Sequence, residues 1–116
     1  MNAFTDQDMD LEPVDVARRH AAGELVLVDV REPYEWEAGH VPGSSHVQME
    51  RVAAMAAEIP HDRPVAFICL SGVRSGLVAQ GFRAVGYDAY NVRGGFALWC
   101  ALDLPVEPEG AIAAPH

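Results

Sequence analysis

The 116-residue chain predicts an α/β sandwich, a parallel sheet with helices on both faces, and three observations carry that prediction. Apolar, β-branched runs are short and do not alternate with polar residues, as strands buried on both faces require. Segments with a single apolar stripe at helical spacing separate them. Glycine and proline stand at the joints. Strands alternating with helices pair in parallel through right-handed crossovers.

In chain order, a short strand is expected around Met9–Glu12, followed by a helix over Val14–Ala22 with Pro13 in its first turn and Gly23 ending it. Leu25–Val30 (LVLVDV) is the first strong strand. A short strand around His46–Gln48 precedes a helix over Glu50–Ile59, where Val52, Met55, Ala56 and Ile59 fall on one stripe. Val65–Leu70 (VAFICL) is the second strong strand, opened by Pro64 where a missing donor matters least. A helix over Arg74–Val85 follows, with Leu77, Val78, Phe82 and Val85 as its apolar set and Gly81 permitting close approach to the sheet. Ala89–Val92 is the last strand, and after Gly94–Gly95 the helix Phe96–Leu102 closes the pattern.

Half the residues are apolar and 22% are charged, a globular balance rather than a disordered one. With 8 basic against 17 acidic residues the formal charge is −9, which disfavours binding to a nucleic-acid backbone. No apolar run reaches the roughly 20 residues that span a bilayer, so no membrane partner is expected. Two cysteines, Cys69 and Cys100, do not make a disulfide scaffold. The acidic stretch Met1–Asp10 lacks the order of a signal peptide, and the expected location is the cytoplasm. Residues 9–107 are read as one domain, with residues 1–8 and 108–116 mobile at its ends. His20, His46, His61 and His116 show no metal-ligand spacing, and no metal or organic cofactor is expected.

The chemistry concentrates in Cys69-Leu70-Ser71-Gly72-Val73-Arg74-Ser75, where a buried strand ends and a helix begins. Ligands of open α/β sheets bind beyond the carboxyl ends of the strands. A tight strand-to-helix turn aims backbone N–H groups and the positive helix end into one concavity, which stabilises an anion. A thiol placed there has its thiolate favoured. Gly72 lets the backbone bend close around the sulfur, and Arg74 adds a permanent charge with a fork of donors. The set describes an activated cysteine nucleophile.

Three stretches resemble the signatures of the rhodanese-type sulfurtransferase family. CLSGVRS after an apolar strand is similar to its active-site loop, and DVREPYEWEAGHVPGSSHV (29–47) to its amino-terminal signature. NVRGGFALW (91–99) is similar to its carboxy-terminal one. They occur in the family's order and cover roughly Met9 to Glu107. The resemblance implies a single rhodanese domain with a five-stranded, mostly parallel sheet, and Cys69 at the floor of its pocket. It implies ping-pong sulfur transfer: the Cys69 thiolate takes the outer sulfur of a small anionic donor such as thiosulfate, releasing sulfite and leaving a persulfide. An acceptor, cyanide in assay or a cellular thiol, then removes that sulfur. Backbone N–H groups of Leu70 to Ser75 would hold the persulfide, and Arg74 the donor. The six-residue loop from Cys69 to Arg74 has the length that the resemblance associates with sulfur transfer. Related phosphatases and arsenate reductases carry one residue more, so those activities rank below it. Mercaptopyruvate-specific relatives favour other residues at Leu70 and Arg74, which sets that donor lower.

Two other functions stand beside the enzyme: a persulfide carrier that delivers to a partner protein's thiol, and a non-catalytic interaction module. Inactive members often lack the cysteine, and the intact Cys69 and loop argue against the module. Around the loop, Asp29 and Arg31 end their strand on the same sheet edge, and Arg31 is expected to pair with Glu32, Glu35 or Glu37. Two places stay open to Arg93, the pocket mouth and the bare surface. His40 is read as a structural histidine, Trp36 and Trp99 as core aromatics, and Cys100 as a small buried residue.

Overall fold

The structure, a computed structural model, describes residues 9–115; the expected mobile segment 1–8 lies outside the described residues. Five strands form one sheet: β1 (Asp10–Leu11), β2 (Val26–Asp29), β3 (Ser45–His46), β4 (Val65–Ile68) and β5 (Ala89–Val92), in the order β1-β5-β4-β2-β3. Every pairing is parallel, with Asp29 opposite Ile68 and Phe67 opposite Asn91. Among the described residues five α-helices accompany them: α1 (Pro13–Ala21), α2 (Pro33–Ala38), α3 (Met49–Val52), α4 (Val73–Ala84) and α5 (Gly95–Ala101).

Side chains alternate across the pleat and so divide the core in two. Val28, Val65 and Phe67 face Val52, Val78 and Phe82 of α3 and α4. Leu27, Ala66 and Ile68 face Val16, Phe96 and Trp99 of α1 and α5. All four residues of β4 are buried, as an unalternating apolar run between two helical layers must be.

From β2 the chain moves outward to β3, whereas from β4 it moves the other way to β5. The crevice beyond the carboxyl ends of β2 and β4 is therefore the point where strand order reverses, the usual place for a ligand in an open α/β sheet.

Three details differ from expectation. The helix expected over Glu50–Ile59 is α3 followed by a 3-10 turn at Ala56–Glu58, in which i→i+3 bonds such as Ile59 N–H to Ala56 O replace the α pattern. The Tyr87 hydroxyl reaches over to donate to Ala56 O at 2.6 Å, which also accepts from Ile59 N–H, and lies 3.3 Å from Ile59 O. In α4 the buried set is Ser75, Val78, Ala79 and Phe82, while Leu77 and Val85 are exposed. Gly81 has open space around it, and it is Gly76 that passes close to the sheet, 3.6 Å from Asn91 Nδ2 to where a Cβ would stand. Helix α2 was not expected at all. Pro33 starts it, and Glu32 and Glu35 form a reciprocal capping box.

Beyond α5, residue 107 pairs with His40 through two backbone bonds of 2.9 and 2.8 Å. Ala113 packs on the second core layer, and the Tyr34 hydroxyl donates to Pro115 O at 3.2 Å.

Candidate active site

Cys69 follows β4 directly, and its side chain has no exposed surface. The sulfur is nevertheless met by polar groups. Gly72 N–H donates to Sγ at 3.1 Å, and the Ser75 hydroxyl lies 3.2 Å away. Gly72 makes this possible because it sits at φ 99°, the left-handed region that turns the chain from strand into helix α4. The helix begins at Val73, so the amides of its first turn lack intrahelical acceptors and open toward the loop.

A second helix holds the loop from behind. Phe96 N–H donates to Cys69 O at 2.7 Å and Ala97 N–H to Leu70 O at 3.0 Å, both from the first turn of α5. That approach requires the double glycine. A Cβ on Gly95 would stand 2.5 Å from both of those carbonyl oxygens.

Of the seven expected site residues, Cys69 and Ser75 are buried, Leu70, Gly72 and Arg74 are half-buried, and Ser71 and Val73 are exposed at the rim. Arg74 is not a free cation. Its Nη1 and Nη2 donate to Glu35 Oε1 and Oε2 at 3.0 and 3.2 Å, and the Glu35 side chain is wholly buried. Those hydrogen bonds, more than the opposing cost of burial, hold the Arg74 guanidinium above its ordinary pKa. Glu35 also accepts from Glu32 N–H at 2.9 Å, so one carboxylate caps α2 and ties that helix to the Cys69–Ser75 loop.

The acidic partner that Arg31 grips in a fork is Asp29, a residue of its own strand end. The fork is buried, with Nε and Nη2 contacts of 2.8 to 3.0 Å, and Arg31 also donates from Nη2 to Gly39 O at 2.7 Å. The reason is local: residues i and i+2 leaving a strand share a face. The Arg31 guanidinium also lies over the Phe96 ring at 4.2 Å, which links the end of β2 to α5.

The remaining candidates have structural partners. His40 Nδ1 lies 2.8 Å from Trp36 O, and its Nε2 lies 3.1 Å from Glu107. Trp36 is half-buried, stacked on His40 at 3.6 Å rather than inside the core, whereas Trp99 is buried and donates to Pro105 O. Arg93 pairs with Glu12 in an exposed bridge of 2.6 and 2.7 Å. Cys69 and Cys100 are both free thiols, and burial pushes the Cys100 thiol up. Among the described residues no group of three or more His, Cys, Asp or Glu is arranged to hold a metal ion.

Asn91 escaped sequence reasoning. It sits in β5, accepts from the Ser75 hydroxyl at 2.5 Å, and donates to Gly72 O at 3.2 Å and Asp10 Oδ1 at 2.9 Å. A signal was present: a carboxamide inside a strand buried on both faces must find partners there.

A family model described as "Rhodanese-like domain" matches residues 12–102. The chain is 42% identical over 74 residues to the uncharacterized protein YqhL of Bacillus subtilis, a match covering 63% of this chain and 59% of that protein. It is 40% identical over 79 residues to the thiosulfate sulfurtransferase GlpE of Pseudomonas syringae, covering 64% and 71%. A rhodanese-related protein from Thermoplasma volcanium shares the fold, with a TM-score of 0.80 at 24% identity over 86% of this chain and 98% of that one.

Proposed function

Because the chain belongs to the rhodanese-like domain family, we propose that it is a sulfurtransferase that carries a sulfane sulfur on Cys69. The Cys69 thiolate attacks the outer sulfur of a donor such as thiosulfate; a new S–S bond forms, the donor's S–S bond breaks, and sulfite leaves with the electron pair. A thiophile then attacks the outer sulfur of the persulfide and returns the thiolate. Cyanide yields thiocyanate by this step, and a thiol yields its own persulfide.

The observation that carries this reading is the Gly72 amide, 3.1 Å from Cys69 Sγ at the start of α4. That N–H gives a sulfur standing there a hydrogen bond at the mouth of a strand-to-helix turn. Relatives named thiosulfate sulfurtransferase add support. No described helix is long and apolar enough to cross a membrane.

A second reading, a carrier that exchanges sulfur with a partner protein's thiol, is favoured by one observation. Val73 and Leu77 expose 69% and 56% of their surface beside the loop, an apolar rim suited to a protein rather than to a small dianion.

Intact mass of the purified chain before and after thiosulfate tests both. The expected result is a gain of one sulfur atom, removed by cyanide and absent in Cys69→Ser. No gain with thiosulfate or with any persulfide donor overturns the proposal. A gain discharged slowly by cyanide and fast by a protein thiol selects the carrier.

A further inference from the structure

We infer that Asn91 is a positioning residue: through the Ser75 hydroxyl it decides whether a proton faces the Cys69 sulfur. The inference rests on the reading of Cys69 as the reacting group.

The orientation of the Asn91 amide follows from its neighbours. One side of the carboxamide faces Asp10 Oδ1 at 2.9 Å and Gly72 O at 3.2 Å. A carboxylate oxygen and a carbonyl oxygen only accept, so that side is Nδ2, with both hydrogens committed. The other side is therefore Oδ1, which can only accept, and it stands 2.5 Å from Ser75 Oγ. A hydroxyl has one hydrogen. When it points at Asn91, Ser75 turns a lone pair toward Sγ, 3.2 Å away. This arrangement suits a thiol, whose S–H then donates to Ser75 Oγ.

An anionic sulfur needs the reverse. When the S–H proton leaves for solvent, the Ser75 O–H swings from Asn91 Oδ1 to Sγ and joins Gly72 N–H as a second donor. Asn91 and the sulfur thus compete for one proton, and the winner reports the sulfur's charge. Ser75 and Asn91 are nearly or fully buried, so water does not substitute for either partner. Among the described residues, the charged groups bonded or electrostatically coupled to this set include Arg74 of α4 with Glu35 of α2, and Asp10 of β1 with Arg93 facing it. Of these, Asp10 is the one bonded to the Asn91 carboxamide.

The test starts with the unaltered chain. The side-chain amide resonances of Asn91 are followed by nitrogen NMR through a pH titration, alongside thiolate absorbance. They are expected to move with the same midpoint as the Cys69 thiolate and to stay still in Cys69→Ala. Alkylation of Cys69 by iodoacetamide at neutral pH is the second measurement. Asn91→Ala frees the Ser75 hydroxyl for sulfur and is expected to raise the rate about threefold to tenfold. In a Ser75→Ala background the same change is expected to do nothing. Resonances that ignore the thiolate, or an Asn91→Ala effect of equal size in both backgrounds, overturn the assignment. Neither measurement uses a sulfur donor. A chain that never forms a persulfide therefore refutes the proposed function without touching this inference.

Discussion

Glu35 and Arg74, 39 residues apart in sequence, face each other through two hydrogen bonds of 3.0 and 3.2 Å, and the carboxylate partner is entirely buried. The guanidinium of the Cys69 loop is thus paired with a carboxylate in the fold itself. That pairing braces the loop against α2.

Glu35→Gln keeps an oxygen for the Glu32 amide but removes the charge. The variant is expected to raise the second-order rate with thiosulfate about threefold to tenfold, since Arg74 then presents a net positive field to the anion. It is also expected to lower stability by about 1–3 kcal/mol, because one partner of a buried pair is weakened. Stopped-flow or coupled thiocyanate assays and chemical denaturation read the two effects. An unchanged rate with a destabilised fold would assign the pair to architecture alone.

Ionic strength acts in the same direction. The chain carries −9 while its loop guanidinium is paired, so a dianionic donor meets net repulsion at long range. Raising salt from about 0.01 M to about 0.1 M shortens the screening length from about 30 Å to about 10 Å. The thiosulfate rate is expected to rise over that range in the unaltered chain and to rise less in Glu35→Gln. A steep fall in both would show that local positive charge governs the approach.

Gly95→Ala places a methyl group 2.5 Å from the Cys69 and Leu70 carbonyls, at a backbone φ of 61°. Neither obstacle is a flexible side chain that can step aside. A loss of about 3 kcal/mol or more is expected, together with loss of persulfide formation as the loop is pushed off α5. Gly81→Ala, which meets nothing within 4 Å, is the matched control and is expected to stay near the parent. Thermal unfolding and persulfide formation by mass decide the pair.

Stability at alkaline pH follows from two groups. Burial raises the Cys100 thiol, and a hydrogen bond with Asp88 raises the Tyr90 phenol. A group whose folded pKa is raised holds its proton more tightly in the folded state. Its contribution is complete below the unfolded value and is lost as pH climbs through the folded one. Unfolding free energy is therefore expected to decline above the ordinary thiol value of about 8.5 and again above the ordinary phenol value of about 10. Cys100→Ser is expected to flatten the first decline and Tyr90→Phe the second, as measured by denaturant midpoints across pH. Equal slopes in parent and variants would remove these groups as the cause.

Much of this was readable from the chain alone, for reasons that differ by residue. VAFICL announced β4 because six apolar residues without alternation suit a position between two layers, and the four that form the strand are all buried. Gly72 announced the turn because few other residues adopt its φ. By contrast, Leu77 and Val85 were placed in the core on periodicity, yet the helix turns them outward. Spacing along a helix defines a stripe but not which of two overlapping stripes meets the sheet. Helix α2 went unseen because six residues carry too little periodicity to register, although Glu32 and Glu35 had the capping-box spacing.

Local order, then, resided in the sequence by itself: the alternation of strands and helices, the bend after Cys69, and the loop that leads from β4 into α4. These depend on interactions between near neighbours and on what each side chain permits its own backbone. The partners of the charged and polar groups were decided only in three dimensions. Arg31 took Asp29, Arg74 took Glu35, and Asn91 reached both Ser75 and Asp10. Parallel strands bring together segments far apart in the chain, and a buried ionic or amide group binds whichever complementary atom the fold sets beside it.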